Sequence, residues 1–200
     1  MEQKLMKKIT VLVDNGHGKG NGNQSPDGRL KEWEWCRRAA ARVVSSLKSQ
    51  GVEAYLLTPE EWNVSLSERA RRANAWCSKV GSQNVLLVSM HNNAAGSGKV
   101  WRDARGFLPF IDPNAGSNSK LIATLMYDEA VKRGLKGNRK QWPYVTKMLT
   151  ITHATKCPAV LTENLFQDNK EDVAYLLTEE GLTAIVDLHV EAIMKYIRKQ

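Results

Sequence analysis

The sequence predicts a single α/β domain, residues 1–200, with a mostly parallel central sheet and helices on both faces. Short aliphatic and β-branched runs alternate with longer amphipathic segments along the chain, with no internal repeat, low-complexity tract or linker. Two of the runs, residues 9–13 and 85–90, are apolar but for Thr10 and Ser89, as strands buried on both faces of a parallel sheet are. Each leads into a histidine set among small polar residues, Asp14-Asn15-Gly16-His17-Gly18 in one case and His91-Asn92-Asn93 in the other. In open α/β sheets, ligand sites lie beyond the carboxyl ends of the strands, so both imidazoles are expected at one edge, placed to share a metal ion.

The elements follow in order. The first strand is succeeded by a polar, glycine-rich loop over 18–28 and a helix over 31–49, for which Gly51 is a suitable C-terminal stop. Residues 52–57 read as a second strand closed by Thr58-Pro59. Ser65-Leu66-Ser67-Glu68 is a capping box, Ser at the N-cap and Glu three residues on, and opens a helix reaching about Lys79. The strand ending at His91 comes next, then a loop over 95–105, a short strand over 106–111 and a helix over 117–133. A basic irregular connection spans 134–143, strands are expected at 148–152 and 159–162, and an amphipathic helix at 182–198 closes the domain.

Composition narrows the function classes. Two hundred residues suit one self-sufficient core. No apolar stretch is long enough to span a bilayer. The charged N-terminus leads into an apolar run that meets Asp14 at once, without the cleavage site of a secretory signal, so cytoplasmic synthesis is expected. Cys36, Cys77 and Cys157 are odd in number and widely spaced, which suits small buried hydrophobes better than a disulfide framework or a metal knuckle. The net charge of +8, from 29 basic and 21 acidic residues, favours polyanionic partners: nucleic acid, an anionic membrane surface or cell-wall polymers. The basic residues are scattered and carry no nucleic-acid-binding signature, so no nucleic acid is expected as a partner.

A catalytic zinc site uses three protein ligands and one open position. His17 and His91 supply two. Glu32 shares the buried stripe of the first helix with Cys36, Ala39, Ala40, Val43 and Leu47, whereas Glu34 stands over Arg38 on the opposite face. Alone, Glu32 reads as a first-turn acid favoured by the helix dipole; beside two histidines it reads as the third ligand. Glu163 ends the apolar run from Pro158 to Thr162 and lands at the same edge. It is a candidate general base for metal-activated water or, on spacing alone, an N-cap or surface residue. Trp33, Trp35, Trp101 and Trp142 flank loops near the site, where packing is expected rather than sugar stacking. His189 lies among apolar neighbours and reads as structural.

Together these segments resemble the zinc-dependent N-acetylmuramoyl-L-alanine amidases of the type-3 amidase family. Asp14-Asn15-Gly16-His17-Gly18 is similar to the family's Asp-Pro-Gly-His-Gly, with Asn15 in place of proline. Glu32 falls at the acidic ligand, and Val64-Ser65-Leu66-Ser67-Glu68-Arg69-Ala70 is nearly verbatim. Ser89-Met90-His91-Asn92-Asn93-Ala94 and the segment from Pro158 to Glu163 complete the match in chain order. The resemblance implies zinc (Zn2+) held by His17, Glu32 and His91, a catalytic Glu163, and cleavage of peptidoglycan at the amide joining N-acetylmuramic acid to L-alanine. Asn93 and His153 are the candidate substrate contacts. His153 stands where many relatives carry arginine and reads equally as a satisfied polar residue.

A monomer is expected, resembling a phage or prophage lysin that reaches the wall after release more than an exported autolysin. The rival readings are a zinc peptidase or deacylase on another substrate, and a catalytically silent peptidoglycan-binding module. Retention of Glu163 with all three ligands argues against the silent module.

Overall fold

A computed structural model describes residues 8–138, 140 and 143–200. Most of the charged N-terminal stretch and Trp142 lie outside the described residues. The elements are β1 (Thr10–Asn15), α1 (Glu32–Ser49), β2 (Glu53–Leu56), α2 (Leu66–Val80), β3 (Val85–Asn93), β4 (Leu108–Ile111), α3 (Ser117–Lys132), β5 (Val145–Thr146), α4 (Thr150–His153), β6 (Ala159–Phe166), α5 (Lys170–Leu176) and α6 (Glu179–Arg198).

The six strands run in the order β2-β1-β3-β6-β4-β5. β2, β1, β3 and β6 are mutually parallel, while β4 pairs antiparallel with β6 and parallel with β5. Side-chain alternation divides the core. Val11, Val13, Leu86, Val88, Met90 and Val160 face the larger cluster, roofed by α1, α3, α5 and α6. Leu12, Leu87 and Leu161 face the smaller one, covered by α2 and α4 through Ala73, Cys77 and Ile151. Continuing the same alternation puts Asp14, Ser89, His91 and Glu163 on the α2 side of the carboxyl edge. Chain order reverses between β1 and β3, so the two histidine-bearing segments leave the sheet at its topological switch point.

Two expectations are corrected. The strand expected at 148–152 is the single helical turn α4, preceded by the two-residue strand β5. The Leu149 carbonyl accepts from the amides of Thr152 and His153 and from the Thr152 hydroxyl, closing a turn despite the β-branched residues. Asn74 on α2 pins its exit, donating to the Ala154 carbonyl and accepting from the Lys156 amide. The last helix begins at Glu179 rather than 182, capped by Thr178, whose hydroxyl accepts from the Gly181 amide. A further helix, α5, precedes it, capped by Asn169, whose carbonyl oxygen accepts from the Glu171 and Asp172 amides. The signal for it was present: an Asn cap followed by two acidic residues in the first turn. The three cysteines are buried and unpaired.

Candidate metal centre

One loop, one helix start and two strands build the centre. After β1 the chain turns sharply at Gly16, whose amide donates to the Met90 carbonyl at 2.8 Å. His17 then adopts φ 60°, a left-handed conformation uncommon outside glycine. Arg69 from α2 holds it there. Its guanidinium donates to the His17 carbonyl at 2.8 Å, to the Asn15 carbonyl at 2.6 Å and to Asp14 Oδ1 at 2.6 Å. Asp14 Oδ2 accepts from the Ser89 hydroxyl at 2.6 Å, tying the exits of β1 and β3 to one buried ion pair.

Glu32 opens α1 on its buried face, only 2% exposed, as helical phase predicts. Its Oε1 lies 3.3 Å from His17 Nε2 and 3.1 Å from His91 Nδ1, and accepts from the Asn92 amide at 3.1 Å. The three candidate ligand atoms all lie within 4.8 Å of one another. Ligands about 2.1 Å from a tetrahedral zinc ion are separated by roughly 3.3–3.5 Å, so this donor set fits such an ion with modest adjustment. Burial works against ionisation of Glu32, but hydrogen bonds and charge from His17 and His91 hold its carboxyl well below the ordinary range. Glu34 is exposed and forms no ion pair with Arg38.

Glu163 sits in β6 directly opposite His91 of β3. Its Oε2 is enclosed without a hydrogen-bond partner among the described residues. Burial pushes this carboxyl up to about 7; the charge of His91 opposes the shift and that of Glu32 adds to it. An acid poised near neutrality with a free oxygen is suited to accept and return a proton. Glu163, His17 and His91 line a cleft of about 470 Å³, walled by Val64, Leu66, Met148, Leu149, Ile151 and Leu161.

Neither candidate substrate contact is among the described residues that line this cleft. His153 binds Asp112 Oδ2 at 2.8 Å and lines a separate cavity with Asn114 and Pro158. Asn93 caps its own loop, its Oδ1 accepting from the Ala94 amide at 2.9 Å. Trp35 is a packing residue whose indole N–H donates to the Leu176 carbonyl. Trp101 packs against the core, and Trp33 is half-buried. His189 is fully buried between the Ile185 carbonyl and the Thr162 hydroxyl, and burial depresses its pKa to about 4.

Sequence reasoning assigned no role to Arg69 or Asp14. Arg69 lay within a motif that carried the resemblance, but a buried arginine is recognisable only from its acceptors. Asn23, in the loop before α1, carried no signal at all. Its amide nitrogen lies 3.0 Å from both His17 Nε2 and Glu32 Oε2.

Comparison with known proteins bears on the family and the fold. The family model for N-acetylmuramoyl-L-alanine amidase matches residues 11–195. An endolysin of Bacillus phage SPP1 is 31% identical over 193 residues, covering 96% of this chain and 67% of the relative. The N-acetylmuramoyl-L-alanine amidase CwlM of Bacillus licheniformis is 27% identical over 195 residues, covering 94% and 68%. Among solved structures, the N-acetylmuramoyl-L-alanine amidase of Clostridium difficile 630 superposes with a TM-score of 0.84 at 21% identity, over 97% of this chain and 99% of that one. The amidase Ami1 of Mycobacterium smegmatis has the same fold, with a TM-score of 0.84 at 19% identity over 98% of this chain and 99% of its own.

Proposed function

The chain belongs to the N-acetylmuramoyl-L-alanine amidase family, and from that premise we propose that it cleaves peptidoglycan between the lactyl group of N-acetylmuramic acid and L-alanine, using zinc held by His17, Glu32 and His91 with Glu163 as the acid–base residue. The observation that carries the assignment is the convergence of a buried glutamate with two histidines that line a cleft, which also holds a carboxyl oxygen without a partner among the described residues. Bound there, zinc supplies a Lewis acid for the scissile carbonyl and lowers the pKa of water to about 7.

The protein's own groups divide the remaining work. Arg69 holds the His17 loop, so the imidazole is aimed before any ligand arrives. Glu32 brings negative charge to the two histidines without needing to be protonated. Glu163 removes a proton from the attacking water and returns it to the departing alanine nitrogen, the transfer its raised pKa suits. The apolar walls on either side limit water and give the cleft affinity for alkyl groups of the substrate. The similarity to a phage endolysin supports a lysin that reaches the wall after release.

The test is digestion of purified peptidoglycan scored for new lactyl and L-alanine ends, with zinc measured in the same preparations. Wild type should produce both ends. His17→Ala and His91→Ala should lose zinc and cleavage together. New ends at another bond would instead establish a different hydrolase, and binding without cleavage would establish the silent module.

A further inference from the structure

We propose that the side-chain amide of Asn23 holds Glu32 as a single-oxygen metal ligand and so keeps a coordination position open for water; the inference rests on the metal reading above. Glu32 presents two oxygens in different surroundings. Oε1 faces the imidazoles, 3.3 Å from His17 Nε2 and 3.1 Å from His91 Nδ1. Oε2 accepts from Asn23 Nδ2 at 3.0 Å, with the Gln167 amide at 3.5 Å behind it. A catalytic site of this class has three protein ligands and one open place. A carboxylate that turned to offer both oxygens would fill that place. Asn23 opposes the turn by engaging the second oxygen.

The loop is built to present this amide. The Glu32 amide donates to the Asn23 carbonyl at 3.0 Å, and Gln24 and Lys31 form an antiparallel bridge one residue further on. The Ser25 amide donates to the Leu30 carbonyl at 2.8 Å, while the Asn23 amide donates to Asn21 Oδ1 at 3.1 Å. Asn23 and Glu32 are thus pinned to each other through the backbone before their side chains meet. Asn23 Nδ2 also lies 3.0 Å from His17 Nε2. That nitrogen has one lone pair, which a metal ion would take, leaving Glu32 Oε2 as the amide's remaining partner. Asn23 is therefore a positioning residue acting through Glu32, and outer-shell partners of this kind typically govern about 10- to 100-fold in metal affinity.

The experiment measures zinc affinity of the metal-free full chain by competition with a chromophoric chelator, and the visible spectrum after loading with cobalt(II). Asn23→Ala and Asn23→Leu should bind zinc about 10- to 100-fold more weakly than wild type. Their cobalt spectra should change as the second Glu32 oxygen takes the position otherwise open to water, and their metal-free melting temperatures should match wild type. Unchanged affinity and spectrum would overturn the role, as would weaker binding with an unchanged cobalt spectrum. A parallel fall in metal-free melting temperature and affinity would reduce Asn23 to a loop-folding residue. A wild type that binds no zinc would remove the metal reading and this inference together, whereas normal wild-type binding with unaffected variants would remove this inference alone.

Discussion

His91 of β3 and Glu163 of β6 are directly paired across neighbouring parallel strands, so a candidate metal ligand and the candidate base share one rung of the sheet. The ladder between them is irregular just beyond, where the register shifts between His91 and Asn93. The Asn164 side chain donates from Nδ2 back to the His91 carbonyl at 3.0 Å, tying the next residue of β6 to the same rung. Backbone pairing sets their relation more rigidly than loops could, which is what acid–base chemistry beside a metal requires. Glu163→Gln keeps the shape and removes the base. Turnover of a soluble muropeptide should fall by roughly 100- to 10,000-fold while zinc content stays at the wild-type level. Retained activity would take the base assignment away from Glu163, and lost zinc would make it a ligand.

The same carboxyl predicts a pH signature in stability. In the folded, metal-free protein it titrates near 7 rather than at the ordinary 4.5. The folded state thus holds this proton more tightly than the unfolded chain does. Its contribution to stability is complete below about 4.5 and is lost as pH rises through about 7. Glu163→Gln has no such proton to lose. Its melting temperature relative to wild type should therefore climb between these two pH values and level off above them, the underlying stability difference having a ceiling of about 3 kcal/mol. Thermal melts in chelator across that range provide the measurement; a constant difference would contradict a raised pKa.

What the sequence disclosed, and what it withheld, follows from the range of the interactions. His17 and His91 were legible because each ends an apolar strand, and strand ends of a parallel sheet share an edge. Glu32 was legible from helical phase, which a single sequence records directly. The segment after Val145 was not, because Thr150, Ile151 and Thr152 favour a strand locally while contacts from Asn74, far away in sequence, fix a helical turn. Asn93 lies within a motif and His153 departs from one, and neither position records in sequence the partner its side chain meets, the Ala94 amide for Asn93 and Asp112 for His153. Asn23 and Arg69 act through acceptors that only the folded chain assembles.

Arg69 is expected to support both stability and the metal centre. It is 2% exposed and bridges Asp14, Asn15, His17 and Val64. Arg69→Ala leaves the Asp14 carboxylate buried without its cation, a change that typically costs about 3–5 kcal/mol. Arg69→Lys preserves charge but not the planar fork that reaches several acceptors at once, so it should cost less and still weaken zinc binding. Chemical denaturation and metal analysis on both variants check this. Full zinc affinity in Arg69→Lys would show that the His17 conformation does not depend on the fork.

The net charge of +8 is expected to act on the approach to the wall rather than on the chemistry. Screening operates over about 8 Å at physiological ionic strength, so binding to whole sacculi should weaken as salt rises. Turnover of a small muropeptide should change much less. Equal salt sensitivity for the two substrates would remove long-range attraction as the cause.

Gly16 offers the sharpest steric test of the centre. A Cβ there would stand 2.7 Å from His91 Cε1, 2.7 Å from His91 Nδ1 and 2.7 Å from the Met90 carbonyl oxygen. The carbonyl is backbone within β3 and is already held by the Gly16 amide, so it has little room to move. The imidazole must yield, and turning it carries Nδ1 away from Glu32. Gly16→Ala should therefore bind zinc poorly, with an overpacking cost of about 1–3 kcal/mol. Gly20→Ala is the matched control. Gly20 has φ 88° with open space around its missing Cβ, so alanine there costs backbone strain but touches no ligand. Zinc content and melting temperature measured on both variants separate the two effects. Zinc loss confined to Gly16→Ala locates the damage at the His91 ring, whereas equal loss in both would assign it to general loosening of the loop.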